Sequence, residues 1–161
     1  MSSKTIIPAK MLLNPIHFLS LGFGSGLVKV APGTFGTLAA IPVYLLLANL
    51  DAEFYIGITI VLFILGIIFC SYTSKALGVH DHSGIVWDEI VGYLITMTLL
   101  PVNWVTICLG FVLFRIFDIW KPWPICVLDS SVHGGLGIML DDVVAAIYAA
   151  MAIQLLLPVI Y

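Results

Sequence analysis

Long uncharged apolar runs, separated by short polar breaks, dominate this chain. Residues 30–50 carry no charge over 21 positions, and residues 54–74 carry none over another 21. Each run is long enough to cross a bilayer as a helix, and Asp51 and Glu53 mark the turn between them. Residues 90–114 form a third uncharged run of 25, interrupted at Pro101, Val102 and Asn103, which reads either as one span or as a helical hairpin. Residues 143–161 close the chain as a final 19-residue span.

The placement of positive charge decides the ambiguous run. With a hairpin, Lys4, Lys10, Lys29, Lys75, Arg115 and Lys121 all fall on one side, and the opposite turns hold no Lys or Arg. That is the positive-inside pattern, and a single span through 90–114 would destroy it. The hairpin helices are short, roughly 15–17 residues or about 22–25 Å at 1.5 Å per residue, so other helices or the interface must shelter their charged ends. Trp87, Trp120 and Trp123 at the inner ends and Trp104 at the outer end suit interfacial anchoring. Lys121-Pro122-Trp123-Pro124 ends the helix before it, because neither proline can continue one. The expected fold is all-α: one polytopic helical membrane domain over residues 1–161. It has about five transmembrane helices, including the short hairpin, and Gly-rich cytoplasmic loops. A cleaved signal peptide is not expected, since Asn14, Pro15 and His17 interrupt the first apolar stretch.

Composition agrees. The chain is 61% hydrophobic and 9% charged, whereas soluble domains are roughly 25% charged. A net charge of −3 is too small to imply nucleic acid or any other strongly charged partner. Cys70, Cys108 and Cys126 have no CxxC spacing, which argues against a disulfide framework or a zinc site.

Against this background the acids stand out. Seven of the nine lie between Asp81 and Asp142, each beside the end of an apolar run. Ionisable groups near hydrocarbon are costly and mark function, and gathered carboxylates are the ligand set that Mg²⁺ prefers. Each group also has a plainer reading. Asp88 and Glu89 suit the first turn of a helix, where the dipole favours negative charge. Arg115 and Asp118 are three apart and can pair on one helix face, although Arg and Lys121 also suit phosphate oxygens. One of Asp141 and Asp142 fits a helix N-cap; two in succession exceed what capping needs. The glycine-rich stretch from 31 to 37 offers backbone N–H groups before a helix, as phosphate-binding loops do, or serves tight packing alone.

Several phosphatase signatures are missing, among them a Cys-x5-Arg loop and a DxDx[TV] motif, as is a GxxxxGK[ST] loop. The motifs that are present are GFGSGL at 22–27, APGTFGTL at 31–38, VHDH at 79–82, IVWDE at 85–89, FRIFDIWKPWP at 114–124 and HGGLGIMLDD at 133–142. Together they resemble the phosphatidylglycerophosphatase A family of bacterial inner-membrane enzymes, in the family's order over about residues 14–150. The resemblance implies Mg²⁺-dependent removal of the phosphate monoester from phosphatidylglycerophosphate, at a site facing the cytoplasm. On that basis Asp88, Glu89, Asp118, Asp141 and Asp142 are the expected metal ligands. Arg115 and Lys121 are expected to hold phosphate, helped by Gly33, Thr34 and Thr37. His80 is the expected acid for the leaving oxygen, with Asp88 and Asp118 the central catalytic carboxylates. Direct attack by water and an aspartyl-phosphate intermediate both remain open. The alternative from another class is a small transporter or ion-binding protein using the same acidic cluster, which predicts acids deep within the spans.

Overall fold

The computed structural model describes residues 7–160, and among them every regular element is helical. Lys4 and Tyr161, used above for topology and for the last span, lie outside the described residues. In chain order the helices are α1 (Pro15–Ser20), α2 (Pro32–Leu47), α3 (Ala52–Leu77), α4 (Trp87–Thr96), α5 (Trp104–Trp120), α6 (Ile125–Ser131) and α7 (Gly134–Ile160), with 3₁₀ segments at Ala9–Leu13 and Gly22–Leu27. Helices α3 and α7, of 26 and 27 residues, are long and apolar enough to cross a membrane, and α2 is apolar but shorter. The turn expected at Asp51 is present, with Asp51 as the N-cap residue of α3.

The break at Pro101–Asn103 is real. Residues 97–103 separate α4 from α5, and Asn103 caps α5 by accepting the Thr106 N–H at 3.0 Å. The Thr106 hydroxyl donates to the carbonyls of Pro101 and Asn103, so the turn's backbone is satisfied locally. Helix α5 has 17 residues, as expected, but α4 has only 10. It stops because the chain turns after Met97 and Leu99 adopts a left-handed φ of 60°.

Eight of the ten α4 residues are buried, so α4 is the axis of the bundle rather than a lipid-facing span. It packs against α2, α3, α5 and α7. A glycine at position 92 makes this possible: a Cβ there would meet the Phe114 ring of α5 at 2.6 Å and Cβ of Asp142 of α7 at 3.3 Å. Small residues let helix backbones approach in this way. Tyr55 and Tyr93 hold the centre together, donating to the carbonyls of Leu94 (2.7 Å) and Ile107 (3.1 Å).

Helix α7 departs most from expectation. It begins at Gly134, not near 143, so the segment read as a glycine-rich loop is helical. Packing overrides the poor helix propensity of glycine here, because a side chain at Gly135 would run into the Ile67 carbonyl of α3. Consequently Asp141 and Asp142 are not caps but lie two turns inside a helix. The start of α4 is level with the middle of α3: a Cβ at Gly66 would meet both Trp87 and Met139. From there α3 continues to Leu77, and α7 reaches back to Gly134. The acids therefore sit about two turns, or roughly 10 Å, below the start of α7 and about three turns, or roughly 16 Å, below the end of α3.

Candidate active site

The end of the bundle where α4 begins and α5 ends holds a cavity of ≈ 280 Å³ whose wall includes Asp81, Asp88, Glu89, Asp118, Asp141 and Asp142, together with Arg115 and Lys121. Three distant stretches of sequence meet here because α4, α5 and α7 share one core. Asp88 and Glu89 occupy the first turn of α4, Asp118 the last turn of α5, and Asp141 and Asp142 the flank of α7. Six carboxylates face two cations, a formal excess of four negative charges in a largely buried space. Acids so crowded repel one another unless a cation lies among them.

The cations are engaged from opposite sides. Arg115 Nη1 contacts Asp118 Oδ2 closely and lies 3.7 Å from Glu89 Oε1. Lys121, in a left-handed conformation just past α5, donates to Asp141 Oδ2 at 2.7 Å and Asp129 Oδ1 at 2.8 Å. Burial disfavours the Lys121 ammonium, but its hydrogen bonds to Asp129 and Asp141 outweigh that and hold its pKa above the usual lysine range.

The remaining polar atoms point to a missing partner. Asp88 Oδ1, Glu89 Oε2, Asp141 Oδ1, Asp142 Oδ2 and Arg115 Nε are buried without a hydrogen-bond partner among the described residues. Leaving such groups unsatisfied costs about 1–3 kcal/mol each, and native interiors hold few of them. Asp88, Glu89 and Asp142 each offer an oxygen, all within 4.8 Å of one another, a spacing that fits oxygen ligands around one small divalent ion. The donor set is all carboxylate, which suits Mg²⁺ over softer metals.

Not every expected residue reaches the cavity. Gly33 does, at the N-terminus of α2, where a Cβ would collide with Glu89 Oε1 and the Arg115 guanidinium. Thr37 instead donates back to the Gly33 carbonyl at 2.9 Å inside α2, and Thr34 does not line the cavity. His80 is not on the wall either. Its Nε2 accepts the Gly134 N–H at 2.6 Å and its ring stacks edge-on against His133, which fastens the loop after α3 to the start of α7. The wall position belongs to its neighbour Asp81. Although Asp81 is exposed at its outer edge, enough protein surrounds the carboxyl for desolvation to raise its pKa, against the opposing pull of Lys121. Asp81 was visible in sequence only as the middle of His80-Asp81-His82. Asp129 sits outside the wall and is tied to the site by its hydrogen bond from Lys121.

The profile of the phosphatidylglycerophosphatase A family matches residues 18–157. The chain is 50% identical to Phosphatidylglycerophosphatase A of Escherichia coli (strain K12) over 138 residues, covering 85% of this chain and 80% of that protein. It is 49% identical to the protein of the same name from Haemophilus influenzae over 144 residues, covering 88% of each. No solved structure matches the chain. With the family profile spanning nearly all of α1 to α7 and relatives this similar, the chain belongs to the phosphatidylglycerophosphatase A family.

Proposed function

We propose that this protein is a Mg²⁺-dependent lipid phosphatase that hydrolyses the phosphate monoester of phosphatidylglycerophosphate, giving phosphatidylglycerol and inorganic phosphate. Family membership supports the reaction. The observation that carries the site is the convergence of six carboxylates with Arg115 and Lys121 in one cavity.

Asp88, Glu89 and Asp142 would hold the metal, with Asp118 and Asp141 beside it. A divalent ion bound there supplies Lewis-acid polarisation of phosphate and a lowered pKa for attacking water. Arg115 and Lys121 bind the phosphoryl oxygens, and the N-terminus of α2 at Gly33 adds a favourable dipole. Each cation already contacts a carboxylate, so both are positioned before substrate arrives. Water oxygen bonds to phosphorus and gives up a proton to one of the wall carboxylates, the bond from phosphorus to the glycerol oxygen breaks, and that oxygen takes up a proton. Asp81 takes the role expected of His80, because it lines the cavity and His80 does not.

The membrane arrangement follows the same logic. Lys10, Lys29, Lys75, Arg115 and Lys121 are assigned to the cytoplasmic side of a bacterial inner membrane, and α2, α3, the α4–α5 hairpin and α7 to its five crossings. Helix α4, at about 15 Å, does so only as a core element wrapped by the others. A transport path is disfavoured, because the core beyond the acids is closed by fully or nearly buried Tyr93, Leu94, Met97 and Ile107.

The test is phosphate release from phosphatidylglycerophosphate by purified protein, with and without Mg²⁺, beside the Asp88→Asn and Asp118→Asn variants. Activity confined to the wild type with Mg²⁺ is expected. Retention of most activity by both variants would overturn the site assignment, and no release by the wild type would overturn the reaction.

A further inference from the structure

The cavity accounts for the phosphate and says nothing of the lipid tails, yet one of its wall residues opens onto an apolar surface. Ile119 lines the cavity and is 69% exposed. Residues 105, 108, 112, 116 and 119 recur at spacings of three and four, which places them on one face of α5. Val105, Val112 and Ile116 are each nearly half exposed, and Cys108 is exposed as well. At the far end this face is a shallow groove of ≈ 480 Å³ lined wholly by apolar surface from Trp104, Val105, Cys108, Leu109 and Val112. Helix α2 packs mainly on α4 and little on α5.

Any lipid-facing helix exposes apolar residues, so exposure alone decides nothing. Two features set this face apart: it is concave at one end, and at the other it runs directly into the acidic cavity beside Arg115. From Val105 to Ile119 is about 21 Å along the helix, more than the roughly 15 Å half-thickness of a hydrocarbon core. The stripe therefore spans one leaflet's depth of chain below a headgroup seated at Arg115.

We propose that this stripe of α5 is a track for an acyl chain of the lipid phosphomonoester, which reaches the cavity laterally from the bilayer past Ile119 while its phosphate meets Arg115 and Lys121. The inference rests on the phosphatase reading above and adds how the enzyme prefers a membrane-borne substrate over a soluble phosphate ester. Binding energy from the tail, remote from the reacting phosphorus, is available to position the head.

The test compares Val112→Trp and Ile116→Trp, which fill the track, with Ile60→Trp and Ile64→Trp on the similarly exposed face of α3. Each is assayed on a long-chain phosphatidylglycerophosphate in mixed micelles and on a short-chain, water-soluble analogue with the same head. The α5 variants should lose about tenfold or more in kcat/KM on the long-chain lipid, chiefly through KM, while the short-chain rate stays within about twofold. The α3 variants should lose neither. Equal losses on both substrates, or losses matched by the α3 controls, overturn the track while leaving the phosphatase reading intact. A wild type that releases phosphate from neither substrate overturns that reading and the track with it. As a second measurement, a lipid phosphomonoester carrying a diazirine on its acyl chain should label residues 105–119 in preference to 60–68. Even labelling of the two helices also counts against the track.

Discussion

Replacing Gly33 by alanine separates the site from the fold. Gly33 is the second residue of α2 and is helical, so alanine meets no backbone strain there; intrinsic propensity favours it by at most about 1 kcal/mol. The added methyl has no room, however. It would lie 2.9 Å from Arg115 Nη1 and 3.0 Å from Nη2, and closer still to Glu89 Oε1. These are the tips of flexible side chains, so they yield rather than unfold the bundle. Glu89 Oε1 must move by on the order of 1 Å and the guanidinium by roughly half that, and misplacement of about 1 Å costs about 10²-fold in rate. Gly33→Ala should therefore unfold within about 1 kcal/mol of wild type, with kcat for phosphate release down by roughly two orders of magnitude. Steady-state kinetics and thermal unfolding in the same detergent measure both. Wild-type kcat in a fully folded Gly33→Ala protein would refute the claim that Arg115 and Glu89 are set for chemistry by the close approach of α2.

Other perturbations probe the remaining parts. Asp142→Asn should raise the Mg²⁺ concentration needed for half-maximal activity by about 10²-fold and, by easing like-charge repulsion, raise the melting temperature of metal-free protein; a lowered metal-free melting temperature counts against crowding. Mg²⁺ at 100 times its Kd should stabilise the wild type by about 2.7 kcal/mol, an effect that EDTA reverses and Asp142→Asn abolishes. Lys121→Met should raise KM, whereas Asp129→Asn, whose pairing with Lys121 is half exposed, should change stability by no more than about 1 kcal/mol and leave kcat intact. Asp81 has a folded pKa above its unfolded one, so its protonated form is favoured in the fold. Its contribution to stability is complete at low pH and is lost as pH rises through the folded value. If Asp81 donates the leaving-group proton, activity falls over the same rise; Asp81→Asn should remove that limb and spare an aryl phosphate, whose leaving group needs no proton.

Much of this was legible in the sequence because bilayer length and charge placement are one-dimensional signals. The uncharged runs around α2 and α3, the Pro101–Asn103 break and the stop at Lys121 could all be read from local chemistry. The depth of the acids could not. Position 134 looked like a loop because three glycines in four residues are poor helix formers, and only the close passage of α3 at Gly135 makes a helix there worthwhile. The exchange of His80 for Asp81 was hidden for a related reason. Which of two neighbours faces a cavity depends on where the loop is pinned, and the pin is the N–H of Gly134, 54 residues away.

The helices also sort the site's charges, and the sorting shows which acids the fold itself compensates least. Asp88 and Glu89 sit at the N-terminus of α4, where the partial positive charge of the helix favours them. Lys121 follows the C-terminus of α5, where the opposite end favours a cation. Asp141 and Asp142 receive no such help, because two turns of α7 separate them from its start and dipole effects fade beyond the first turn. Asp141 has Lys121, but Asp142 is 3% exposed and keeps a buried oxygen with no partner among the described residues. Of the five expected metal ligands, Asp142 is therefore the one whose charge the fold leaves least compensated. In a series of single Asp→Asn changes at 88, 118, 141 and 142, it should give the largest gain in metal-free stability; a larger gain at Asp88, already favoured by its helix, would refute this division of labour between helix ends and the proposed ion.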